Sequence, residues 1–77
     1  MRSIEELGPI ARQISSDREL LRRFAEVMGS EDEDRARAMV DEVRRVAQAL
    51  DPSISYAEGA SVSLALMEIV RDRSESS

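Results

Sequence analysis

A chain of 77 residues has room for one domain and no second core. It buries only about 60 to 65% of its unfolded surface, so a domain of this size usually needs a disulfide, a metal or a partner subunit. Neither Cys nor His is present, which excludes disulfides and the common zinc sites and leaves tight helix packing or association with another chain. The formal charge is −5, with sixteen acidic residues against eleven basic ones, all of them Arg. That balance opposes non-specific binding to a phosphate backbone.

Ser3 with Glu6 three residues later can start a helical turn over residues 3 to 7. Gly8-Pro9 then interrupts it, because Pro lacks a donor and clashes with the preceding turn unless it stands at a helix's first position. A fresh short helix over about residues 9–15 is therefore expected. Ile4, Leu7, Ala11 and Ile14 nevertheless keep a heptad-like spacing across the break, which a kinked continuous helix would also produce.

Ser16-Asp17-Arg18-Glu19 reads as a capping box opening a helix over 17–28, with Leu20, Leu21, Phe24, Val27 and Met28 as its apolar stripe. Gly29 stands where a C-cap glycine belongs. Ser30-Glu31-Asp32-Glu33 reads as a second capping box. It opens a helix over 31–50 whose stripe is Ala36, Met39, Val40, Val43, Val46, Ala47 and Leu50. Asp51-Pro52 stops that helix, since the residue before a proline is pushed out of the α region.

Ser55 and Glu58 offer a third box, opening a last helix over 56–73 in which Gly59 is a soft spot costing about 1 kcal/mol relative to Ala. The rest of the chain is organised around this helix. Between Ala60 and Val70 its apolar side chains point in nearly every direction, and only Ser61, Glu68 and Asp72 align as a polar strip. Such a helix must be buried on most of its circumference. The segment 61–66 also alternates small or polar with apolar residues, a strand's period, but it has no partner run beyond 53–56, and a lone hairpin is marginal in water. The fold expected is thus all-α: a small bundle of three to four helices, the C-terminal one most buried, in a single domain over 1–73. Residues 74–77 follow as a disordered polar tail.

Chemistry is sparse. The acidic run Glu31-Asp32-Glu33-Asp34 fails as a calcium loop started at Asp32, since Arg37 stands where Gly is needed and Val43 where Glu is needed. It suits the positive end of a helix instead, with Glu31–Arg35 and Glu33–Arg37 as i,i+4 pairs. With no His, Cys, Lys or Gly-rich phosphate loop, no catalytic, metal or cofactor residues are assigned, and an enzyme is not expected. Nothing in the sequence is apolar enough to cross a bilayer, and Met-Arg-Ser-Ile-Glu-Glu lacks a signal peptide's apolar core, so a cytoplasmic protein with no membrane partner is expected.

What remains is a non-catalytic helical module, regulatory or scaffolding, that binds protein and self-associates. The stripes of the second and third helices can cover two sides of the last one, leaving the side near Leu64 and Met67 with only the short first helix to face it. Leu64, Met67, Phe24, Met28 and Met39 are the interface candidates, because thioethers adapt to repacked surfaces. Two alternatives keep a place. One is a helix-turn-helix-like transcriptional regulator built on the second and third helices, although Asn is absent and acidic residues outnumber arginines on the would-be reading helix. The other is a ribosomally made precursor peptide with a helical leader ending at Gly59-Ala60.

Overall fold

The computed structural model describes residues 3–76. It has four α-helices in chain order, α1 (Ile4–Ser15), α2 (Arg18–Gly29), α3 (Glu33–Leu50) and α4 (Tyr56–Ser76), with no strand among the described residues. The 61–66 segment is therefore helical. Within it Ser61 and Ser63 turn their hydroxyls toward the carbonyls of Ala57 and Gly59, four residues earlier, a contact that the helix geometry allows.

α1 does not wait for Pro9. It starts at Ile4, capped by Ser3, whose hydroxyl accepts from the Glu6 amide at 3.3 Å, and it carries Pro9 in its interior. An interior proline costs about 3 kcal/mol. The lost hydrogen bond falls on Glu5, whose residue is exposed and open to water, while Leu7, Ala11 and Ile14 are buried at 0, 0 and 2% exposure. Two of these core residues lie beyond the proline and one lies before it. Burying all three on one neighbour requires a single helix through the break.

The first two connections are each one residue longer than the capping boxes imply. Ser16 and Ser30 are C-caps, each donating its hydroxyl at 2.6 Å to a carbonyl three residues earlier, Gln13 and Val27 respectively. The N-caps are Asp17, which accepts from the Leu20 amide at 3.1 Å, and Asp32, which accepts from the amides of Asp34 and Arg35. An aspartate brings a full negative charge to the positive helix end, and the serine is then free to close the helix before. Gly29 ends α2 without a positive φ. Among the described residues the left-handed one is Glu31, at φ 62°.

Asp51 is extended, as a residue before proline should be, and its carboxylate gathers the Ser53 amide and hydroxyl in a tight turn. Ile54 plugs this turn into the core at 3% exposure, and Gln48 donates to its carbonyl. Here the capping box is complete: the Glu58 amide donates to the Ser55 hydroxyl and the Ser55 amide donates to the Glu58 carboxylate. The backbone of α4 stays helical past the expected end at Arg73, to Ser76, since neither Gly nor Pro interrupts it. Of the expected tail, Ser77 lies outside the described residues.

One hydrophobic cluster joins all four helices, with Phe24, Leu7, Leu66, Val43 and Val62 as its largest fully buried side chains. α4 packs mainly against α1 and α3 and touches α2 only lightly. The first helix, lengthened through Pro9, is thus the principal cover of the last. Arg23 of α2 forks onto the Glu42 carboxylate of α3 at 3.2 and 3.1 Å and holds those two helices together on the opposite side.

Candidate protein-binding groove

α4 is the most enclosed helix, yet one of its apolar sides stays open. Val62 and Leu66 are fully buried and Ile69 and Val70 half-buried, whereas Leu64 is 53% and Met67 38% exposed. The cause is the number of neighbours. α1 and α3 take two flanks of α4, and α2 lies too far round to cover the third.

Across this open side runs a groove of about 520 Å³, walled by Tyr56, Ala60, Leu64 and Met67 of α4 and floored by Ala36 and Val40 of α3 and Met28 of α2. Arg37 and Asp41 stand on its α3 rim. Its Tyr56 end is built firmly. The Arg44 guanidinium lies 4.4 Å from the Tyr56 ring centroid and holds Asp41 at 3.1 Å, and its stem fits where Gly59 lacks a side chain.

Of the five residues chosen from the sequence, the structure brings three together: Leu64, Met67 and Met28 all line this groove. Phe24 and Met39 do not join them. They are core residues at 0 and 4% exposure, and no partner can reach them while the fold is intact. Tyr56, 70% exposed, and Val40 and Ala60 were not among those chosen. A signal for two of them was present in the spacing Tyr56–Ala60–Leu64, which puts all three on one side of a helix.

Another cleft, about 720 Å³, opens where the end of α1, α2 and α4 meet, and it is lined by Arg18, Arg22 and Arg73 with Ser15 and Ser16. Its polar groups are largely engaged. Ser15 and Ser16 donate to carbonyls of α1, and Arg22 is bridged to Glu19 and Glu26 at 3.1 Å. The acidic run at the start of α3 is exposed, with Asp32 engaged in capping; among the described residues no three acidic side chains converge as metal ligands do, and Glu31–Arg35 and Glu33–Arg37 form no ion pair. No helix among the described residues is long and apolar enough to cross a membrane.

Compared with protein-family models, with curated proteins and with solved structures, the chain finds no match in any of the three.

Proposed function

We propose that the chain is a non-catalytic helical interaction module that works by binding protein, with a second copy of itself as partner, through the groove between α3 and α4. The observation that carries this reading is the exposure of Leu64, 53%, in the middle of an apolar wall that continues through Met67, Ala60 and Tyr56. Scattered surface leucines need no explanation, but a contiguous apolar groove on so small a domain is the form an interaction site takes. Two methionines, Met28 and Met67, line it and can adapt to a partner's shape.

The same groove serves a helix-in-groove contact or an isologous dimer equally well in outline. A DNA-reading role is less favoured, because Glu33 and Asp34 stand exposed at the leading end of α3, where phosphates would have to approach. Sedimentation equilibrium of the purified chain tests the proposal. Concentration-dependent mass and melting, abolished by Leu64→Glu, support it. A monomer up to about 0.5 mM, or binding to DNA that falls steeply with salt, would overturn it.

A further inference from the structure

The exposed side of α4 has an order of its own. Ala57, Ala60, Leu64, Met67 and Arg71 are all exposed, and their spacing of three, four, three and four residues is that of a heptad seam. Size rises along the seam, from two alanines through Leu64 to Met67 and Arg71. Ala60, Leu64 and Met67 border the groove beside Ala36 and Val40 of α3 and Met28 of α2 and keep an exposed side there.

We propose that two copies of the chain pair along this seam with their α4 helices antiparallel, about a two-fold axis at Leu64. The inference rests on the self-association reading above and adds to it the orientation and the residues that meet. In the antiparallel order Ala60 faces the partner's Met67 and Ala57 faces the partner's Arg71, so small sits opposite large on either side of a central Leu64–Leu64 layer and the side chains interdigitate. Parallel pairing sets Arg71 against its own copy, like charge on like, and leaves the two alanine layers underfilled.

Charge favours the same order. Reversal of the partner's helix carries its Arg71 to the Tyr56 end of the groove, where an aromatic ring that is 70% exposed stands beside the half-exposed carboxylate of Asp41. Arg44 already lies 4.4 Å from the ring centroid and 3.1 Å from Asp41 Oδ1, so the partner's Arg71 would share the exposed ring and the carboxylate with it. Since each copy carries a net charge of −5, approach of the two needs such a local attraction.

The absence of cysteine from the chain makes the test clean. Single substitutions Ala60→Cys, Leu64→Cys and Met67→Cys fall at exposed positions and leave the core untouched. A disulfide needs its two Cβ atoms about 4 Å apart. Oxidised Leu64→Cys is expected to cross-link to itself, and an equimolar mixture of the other two variants to give the mixed dimer in excess of either homodimer by at least about fivefold. Arg71→Glu is expected to weaken dimerisation by about tenfold or more, and Arg71→Lys by much less. If the chain associates but Ala60→Cys and Met67→Cys each cross-link only to themselves, or none of the three variants cross-links, this pairing is wrong while self-association stands. A chain that sediments as a monomer removes both.

Discussion

A Cβ added to Gly59 would stand 2.5 Å from Arg44 Cγ and 3.0 Å from Arg44 Cβ. The glycine of α4 and the arginine of α3 therefore set how closely the two helices cross, and what reads in the sequence as a weak point in a helix is a notch for a neighbour's stem. The crossing leaves Arg44 Nε buried without a hydrogen-bond partner. That cost is offset by the guanidinium's contacts with the Tyr56 ring and with Asp41.

Gly59→Ala is expected to destabilise the fold, although alanine is the better helix former by about 1 kcal/mol. The obstructing atoms are at the near end of the Arg44 side chain and cannot swing away, and such overpacking costs about 1 to 3 kcal/mol. Urea denaturation of Gly59→Ala, Arg44→Ala and the double variant checks this. The double variant should recover part of the loss, because shortening Arg44 removes the Cγ obstruction.

Gly29→Ala should move stability the other way. Nothing lies within 4 Å of a Cβ there, and the glycine has no positive φ. The substitution is then worth about 0.5 to 1 kcal/mol of added stability, read as a higher melting temperature.

Glu31 occupies the left-handed region at φ 62°, a conformation that costs an L-residue about 1 to 2 kcal/mol and glycine almost nothing. Glu31→Gly should therefore stabilise, by up to about 1 kcal/mol after the greater entropy of an unfolded glycine is subtracted. A lower melting temperature for this variant would contradict the strain argument.

Asp32→Ala removes the acceptor of the Asp34 and Arg35 amides and should cost about 0.5 to 2 kcal/mol. Added calcium should shift the melting of neither the parent chain nor the variant. Calcium-dependent stabilisation that the substitution abolishes would mean the acidic run binds the ion rather than solvating a helix end.

Leu64→Glu and Phe24→Ala separate the groove from the core. Leu64 is 53% exposed and Phe24 fully buried, so Leu64→Glu should keep the helical circular dichroism of the monomer while association is lost. Phe24→Ala should cost about 3 to 5 kcal/mol, a large share of what a domain of this size has. If Leu64→Glu unfolds the chain, folding and association are one event and the monomer does not stand alone.

Much of the architecture follows from local chemistry in the chain. Apolar spacing marks four helices, Asp51-Pro52 ends the third through a steric restriction on one residue, and Ser55 with Glu58 starts the fourth through two reciprocal hydrogen bonds. These signals act within a turn or two of the chain, and they are legible for that reason. What tertiary structure alone decided depends on neighbours distant in sequence. Pro9 stays inside α1 because Leu7, Ala11 and Ile14 are buried together. Gly59 proves to be a contact because Arg44 lies across it. The last helix, apolar almost all round, keeps Leu64 and Met67 in water because only two helices fit closely beside it, and periodicity counts apolar sides without counting the neighbours available to cover them.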